Sequence, residues 1–401
     1  MPRKADTMSQ ENPVVIVGLA RTPMGGLLGE LSTETAPALG AVAIRAAMDE
    51  AGVNAEAVDE CLMGNVLSAG QGQATARQAA LGGGLPLPTK ATTLNKMCGS
   101  GLEAVVLGRS LIASGEADVI VAGGMESMTN APHLLAKHRG GVKYGHDAVL
   151  DHMAKDGLED AYEGAAMGVY ADKIAGEMQF TREAQDAYAL ETLARAQKAT
   201  ETGAFAREIA PVTIKTRKGE TSVETDELPR NARPDKIPHL RPAFSKTGTV
   251  TAANASAISD GAAALVMMDA ASADKHGAKP LARIVSAAAH AQEPAYFTTA
   301  PVPAIQKALD KAGWTTGDVD LWEINEAFAV VPMIAMRELG ISHDQLNING
   351  GACALGHPIG ASGARVLVTL IAALEARDAK RGVASLCIGG GEGIAVCVER
   401  G

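Results

Sequence analysis

Ala51-Gly-Val-Asn-Ala-Glu-Ala-Val-Asp59 returns as Ala312-Gly-Trp-Thr-Thr-Gly-Asp-Val-Asp320, 261 positions further on. Each copy follows an amphipathic stretch (Leu39 to Glu50; Ala304 to Lys311) and precedes a short apolar run ending in asparagine. Those runs are Cys61-Leu-Met-Gly-Asn65 and Leu321-Trp-Glu-Ile-Asn325. Ser100-Gly101, opening one predicted helix, matches Ser362-Gly363, opening another, at an offset of 262. The glycines closing Val119 to Gly124 then align with those closing Ala384 to Gly390 at an offset of 266, which predicts about four extra residues before the strand in the second copy. A period this long is not that of a solenoid. It predicts two similar α/β halves related by a pseudo-twofold axis. Continuous apolar runs such as Pro13 to Gly18 and Asp118 to Ala122 read as strands buried on both faces. Helical segments between them predict β-α-β crossovers and mainly parallel pairing.

The first half is interrupted. Ala262 to Met268 resembles Ile394 to Val398, the last strand of the second half, but arrives roughly 130 residues late. The intervening stretch holds a predicted helix from Thr181 to Gly203, with Thr181 as its N-cap and Gly203 as its stop. It also holds a loop punctuated by Pro229, Pro234, Pro238 and Pro242 among basic residues. The expected organisation is a first half of residues 1–128 plus 256–278, an inserted subdomain of 129–255, and a second half of 279–401.

At 401 residues the chain has ample core for two or more packed units. Apolar residues make up 47% but aromatics only 3%, which favours close helix–sheet packing through alanine and glycine. A net charge of −10 argues against a nucleic-acid partner, though not against an anionic ligand bound at a local patch. Met1 to Asn12 is polar and includes Asp6 and Glu11, so neither a secretory nor a mitochondrial leader is expected there. The apolar runs fall well short of the ~20 residues of a membrane span. Five cysteines without paired spacing, and a Glu399-Arg-Gly401 terminus that is no peroxisomal address, predict a cytoplasmic protein with free thiols.

Three glycine-rich runs concentrate the reactive side chains: Asn95-Lys-Met-Cys-Gly-Ser-Gly101, Gly356-His-Pro-Ile-Gly-Ala-Ser-Gly363 and Cys387-Ile-Gly-Gly-Gly-Glu-Gly393. Cys98 precedes a helix, where unsatisfied N–H groups and the positive dipole end favour a thiolate. A buried inert cysteine is the ordinary alternative, and Cys61 and Cys397, inside apolar strands, are examples of it. The repeat decides for Cys98, because His357 falls at nearly the equivalent place in the other half.

For His357, a metal pair with Cys353 at i, i+4 is disfavoured by Gly356 and Pro358, which break the helix such a pair needs. General base is the better role. Cys387 ends a strand and enters a triple-glycine turn. That turn lacks the lysine of a phosphate-binding loop and suits an oxyanion hole better. Asn325 and its match Asn65 both end strands, at the edge where open α/β sheets bind ligands. The remaining histidines are read as surface or core residues.

With these residues in hand, the sequence resembles a thiolase of the acetyl-CoA acetyltransferase type, from about Pro13 to the C-terminus. Its matching motifs are Asn95 to Gly101, Gly124-Met-Glu-Ser-Met128, Asn254-Ala-Ser256, Asn325 to Ala329, Gly350 to Arg365 and Cys387 to Gly393. The resemblance implies two β-α-β-α-β-α-β-β halves in a layered α-β-α-β-α core, with a loop domain inserted in the first. It implies Cys98 as the acylated nucleophile, His357 as its base, and Cys387 as the proton shuttle at the α-carbon. It further implies one oxyanion hole from His357 and an Asn325-held water, and another from the N–H groups of Cys98 and Gly389. Coenzyme A would enter as substrate and product, with no permanently bound cofactor and no metal. Its contacts would come from Ser256, Arg230, Leu158, Met167, Phe244, Ala327 and Phe328. A homo-oligomer, dimer or tetramer, is implied as well.

Ala166, Phe297, Cys353 and Glu392 depart from the family pattern, which leaves acyl-chain preference open. A broader 3-ketoacyl-CoA thiolase of fatty-acid β-oxidation is the nearest alternative. A decarboxylating ketoacyl synthase is disfavoured by Cys387 where such enzymes carry His or Asn, and a non-catalytic acyl-CoA carrier by the complete reactive set.

Overall fold

The computed structural model describes residues 12–217 and 219–401. The repeated segment is a connection from helix to strand, built twice by the same means. Helix α1 (Ala36–Ala51) starts at Thr35, whose hydroxyl accepts from the Ala38 N–H, and stops at Gly52 in the left-handed region (φ 63°). Only glycine enters that conformation without steric cost, and the second copy uses Gly313 (φ 70°) in the same way. Asn54 and Thr315 then cap short 3-10 turns. Asp59 accepts from the N–H groups of Asp118 and Val119, while Asp320 accepts from those of Lys380 and Arg381. Each aspartate thus ties the entry of one strand to that of its neighbour.

The first half contributes strands β1 (Val14–Arg21), β2 (Glu60–Gly64), β3 (Lys90–Leu94), β4 (Val119–Ser127) and β5 (Ser259–Asp269). The second contributes β6 (Ala282–Ala291), β7 (Leu321–Ile324), β8 (Arg381–Ile388) and β9 (Glu392–Glu399). They run in the order β7-β8-β9-β6-β1-β5-β4-β2-β3, with the short Gly25–Gly26 strand beside β5 completing a ten-stranded sheet. The half-sheets join where β1 pairs antiparallel with β6, Val15 against Arg283 and Ile16 against Ala282. In the second half the counterpart of β3 is reduced to a single parallel bridge, Trp322 to Leu346.

Helices α2 (Thr75–Gly82) and α3 (Ser100–Ala113) complete the first half, and α6 (Pro301–Ala312), α7 (Val330–Leu339) and α8 (Ser362–Ala376) the second. Helices α3 and α8 pack on each other between the half-sheets, within one apolar cluster that draws on both halves. The outer face of the first half-sheet is covered by α1 and α2, and that of the second by α6 and α7. The result is the expected five-layer α-β-α-β-α core.

Two expectations are corrected. Pairing is not mainly parallel: β2 with β3, β2 with β4 and β7 with β8 are parallel, but β5 and β9 each run antiparallel to both neighbours. The continuous apolar runs report burial on both faces, and a mixed sheet covered by helices on both sides buries antiparallel strands equally well. The proposed four-residue insertion is also absent. Asp118 and Val119 correspond to Lys380 and Arg381 through the shared aspartate contacts, an offset of 262 that matches the helices. The glycines that suggested 266 belong to the body of β4 in one half and to the turn after β8 in the other.

Between β4 and β5 the chain forms hairpins at 133–151 and 212–223, two longer helices, α4 (Met167–Glu177) and α5 (Arg182–Glu201), and a short one over Glu227–Asn231. Thr181 caps α5 as expected, its hydroxyl accepting from the Ala184 N–H. This stretch is fastened to the core by buried polar contacts. Arg21 pairs with Glu208 and Asp226, and Tyr188 and Thr192 of α5 donate to Glu326. Among the described residues no helix is long and apolar enough to cross a membrane.

Candidate active site

The glycines that open α3 and α8 explain how the two halves converge. A methyl group on Gly101 would lie against the backbone of Ala364 and Gly360, and one on Gly363 would strike the Leu102 N–H. The first turns of the helices therefore touch backbone to backbone, and the loops that precede them, carrying Cys98 and His357, emerge side by side.

Cys98 ends a tight turn between β3 and α3 in which Met97 takes a left-handed conformation (φ 46°). Three local bonds hold that turn: Met97 N–H to Asn95 Oδ1 at 2.9 Å, Lys96 N–H to Ser100 Oγ at 2.8 Å, and Ser100 Oγ–H to the Met97 carbonyl at 2.6 Å. Burial pushes the Cys98 thiol up to about 11. Hydrogen bonds from the Gly389 N–H and from its own N–H oppose that rise, and the charge of Glu126 adds to it. The expected thiolate is therefore not the resting form: desolvation outweighs the helix terminus. The two N–H groups on the sulfur are nevertheless the pair expected to form an oxyanion hole. Cys387, fully buried at the end of β8, is also pushed well up, by burial and then by Cys98 beside it.

His357 follows the short helix Ala352–Leu355, which ends at Gly356. Its Nδ1 lies 2.5 Å from Ser362 Oγ, and Ser362 donates its single hydroxyl proton to the Pro358 carbonyl at 3.0 Å. The hydroxyl must then accept from Nδ1–H, which leaves Nε2 unprotonated, an acceptor. Burial, with Arg365 nearby, pushes the imidazole down to about 3, so it is neutral at physiological pH. Asn325, just beyond β7, sets its Nδ2 3.5 Å from that Nε2. Its Oδ1 faces Arg365 at 3.3 Å, and Arg365 in turn pairs with Glu323 at 3.4 Å in full burial.

The site thus consists of a protonated thiol, a neutral imidazole with a defined tautomer, a second thiol, two N–H donors on sulfur and an oriented amide. Such a set can relay a proton and stabilise an oxyanion without metal-ligand geometry. Among the described residues no cluster of His, Cys, Asp or Glu has that geometry.

The residues expected to meet coenzyme A divide. Met167 Cε lies near Gly389, and Leu158 packs against the same apolar cluster as Cys98. Phe328 meets Phe244 and Phe297 edge to face, with centroids 6.1 and 6.2 Å apart. Ser256 donates twice to the Ala327 carbonyl. Arg230 stands apart, partly exposed and paired with Glu30 at 2.6 Å.

Several contributors escaped the sequence reading. Glu126, at the end of β4, accepts from Asn65 Nδ2 and from the N–H groups of Val66, Leu67 and Gly360, so it binds the loop after His357 to the first half. Burial raises it to about 7 despite those bonds. The available signal was a charged residue set among apolar neighbours, at the end of a run for Glu126, within one for Glu323 and at the head of one for Arg365.

Two half-folds that each bring part of this set to a shared seam define a class: duplicated α/β proteins built for thiol-ester chemistry. Residues 14–271 match the family profile described as thiolase, N-terminal domain, and residues 278–400 that described as thiolase, C-terminal domain. The chain belongs to the thiolase family. It is 52% identical over 391 residues to an acetyl-CoA acetyltransferase of Rhizobium meliloti (strain 1021), covering 97% of this chain and 99% of that one. An acetyl-CoA acetyltransferase of Cupriavidus necator is 50% identical over 389 residues, covering 96% and 99%. The crystal structure of the Bacillus anthracis acetyl-CoA acetyltransferase superposes with a TM-score of 0.95 at 39% identity, covering 97% of this chain and 99% of that chain.

Proposed function

We propose that this protein is an acetyl-CoA C-acetyltransferase, catalysing the reversible condensation of two acetyl-CoA to acetoacetyl-CoA and CoA. The observation that carries the reading is the Cys98 sulfur facing the Gly389 N–H with Cys387 beside it. In the first half-reaction His357 Nε2 takes the Cys98 proton as sulfur attacks the thioester carbonyl. Cys387 gives its proton to the departing CoA, which leaves as thiol, while the acetyl group remains on Cys98 and the Cys387 thiolate faces protonated His357. In the second, the Cys387 thiolate removes a proton from the α-carbon of another acetyl-CoA, the resulting carbanion attacks the acyl carbonyl, and Cys98 leaves as thiolate and takes its proton back from His357. Asn325, through a water, and His357 stabilise one developing oxyanion, and the N–H groups of Cys98 and Gly389 the other. Each such donor is worth about 3–4 kcal/mol. One cysteine serving both half-reactions gives ping-pong kinetics.

On this reading 1–128 plus 256–278 and 279–401 are the catalytic halves, and 129–255 is the loop domain that receives CoA. Leu158, Met167, Phe244 and Phe328 line its path, Ser256 and Ala327 flank the pantetheine, and Arg230 meets the adenine end. The enzyme works as a cytoplasmic homo-oligomer with CoA as its only cofactor-like partner. Conversion of acetoacetyl-CoA and CoA to acetyl-CoA tests the activity. Measurement of kcat/KM across C4 to C10 3-ketoacyl-CoAs tests the substrate, and a maximum beyond C4 would replace acetyl transfer with the broader thiolase reading.

A further inference from the structure

The nucleophile turn and the oxyanion turn belong to different halves, and their separation sets the distance from the Cys98 sulfur to the Gly389 N–H. One ion pair spans that gap: Lys96 Nζ lies 2.6 Å from Glu392 Oε2. Lys96 is two residues before Cys98, and Glu392 is the first residue of β9, directly after the Gly389–Gly391 turn. Both side chains are mostly covered, at 25% and 35% exposure, so solvent screens the pair less than an ordinary surface bridge. The two ends differ in how they are held. The nucleophile turn has its own side-chain braces in Asn95 and Ser100, whereas the oxyanion turn consists of three glycines with no side chains. Gly99 adds a packing contact, since a methyl there would meet the Ile388 side chain.

We infer that Lys96 and Glu392 form a strut that positions the Gly389 N–H against the Cys98 sulfur, acting through the two turns rather than on substrate. The inference rests on the thiolase reading of the site. It makes both residues positioning residues for the oxyanion hole. Neutralising either end loosens the glycine turn, lengthens the Gly389 contact and weakens stabilisation of charge on the acyl oxygen. Substrate binding through the inserted domain is untouched.

The test uses the full-length enzyme with Lys96→Met, Glu392→Gln, both together, and the exchanged pair Lys96→Glu with Glu392→Lys. In acetoacetyl-CoA thiolysis each single variant should lower kcat by about 10-fold, with KM within about twofold. The double neutral variant should be no worse than either single, and the exchanged pair should recover part of the loss. Melting temperatures should stay within a few degrees of the parent.

Cys98 alkylation by iodoacetamide gives a second readout that needs no turnover. Loss of the Gly389 N–H contact raises the thiol further and slows labelling at pH 8 in every neutral variant. Unchanged kcat and labelling, additive losses in the double variant, or losses that track lowered melting would each overturn the strut. An inactive parent enzyme with slowed labelling in the variants would instead overturn the thiolase reading and leave the strut standing.

Discussion

Arg365 decides which way the Asn325 amide faces. Its guanidinium has donors only, so the atom 3.3 Å from Nη2 must be the carboxamide oxygen, and the NH2 group is turned toward His357. Glu323 holds Arg365 from the far side at 3.4 Å, and all three side chains are buried.

Arg365→Gln should therefore disable Asn325 without touching it. The expected loss in kcat is on the order of 10²-fold, with KM little changed. Combining it with Asn325→Ala should cost no more than Asn325→Ala alone, because both remove one function. Glu323, held up to about 8 by burial even with Arg365 beside it, already carries a proton at neutral pH and leaves no unpaired buried charge when its partner goes. That limits the destabilisation, which denaturant titration should place at about 3–5 kcal/mol or less. Additive kinetic losses would separate the two residues.

Cys98→Ser should abolish thiolysis by on the order of 10⁴-fold or more while the melting profile stays that of the parent. A mass shift of one acetyl group after incubation with acetyl-CoA should appear in the parent and be missing in the variant. An acetylated variant would move the nucleophile elsewhere.

The pH dependence follows from two opposite displacements. His357 is held down to about 3, so it is unprotonated and ready as a base at every higher pH. Cys98 is held up to about 11, so it keeps its proton below that value. Both starting forms coexist from about pH 5 to about pH 9, so within that window neither His357 nor Cys98 should contribute a limb to kcat/KM for acetoacetyl-CoA, and any inflection near 7 or 8 should vanish in Glu126→Gln or Glu323→Gln. Alkylation of Cys98 needs the thiolate, so its rate should still be climbing at pH 9.5. An acid limb near the ordinary histidine value of about 6.5 that persists in both variants, or alkylation levelling off below pH 8, would contradict the site electrostatics.

Gly363→Ala puts a methyl group against the Leu102 N–H, where backbone cannot yield. Overpacking should cost about 1–3 kcal/mol and spread the helix pair apart. Activity should fall further than stability, because Cys98 and His357 ride on the separated elements. Calorimetry alongside kcat measures the two effects, and a variant of full activity would show that the crossing does not set the site.

Much of this site was legible because the chain states it twice. Gly52 and Gly313, Asp59 and Asp320, and Asn65 and Asn325 sit at matching places, and one pattern read against its copy exposes what packing alone does not require. Strand direction was not legible, since β5 is apolar whether it runs with or against β4. The Cys98 protonation state was misread because a helix terminus is visible in sequence while desolvation depends on the other half of the chain. Glu126, Ser362 and Arg365 show the same limit: each acts on a partner delivered by folding, and only their polarity among apolar neighbours hints at it.

The seam between the halves also has a consequence for chains that fail to mature. A lone first half would present Cys98 without the Gly389 N–H, and a lone second half would hold His357 without the loops that Glu126 ties down. Neither fragment holds the complete set of groups, so a half-made polypeptide lacks the arrangement that an activated thioester would meet in the finished chain.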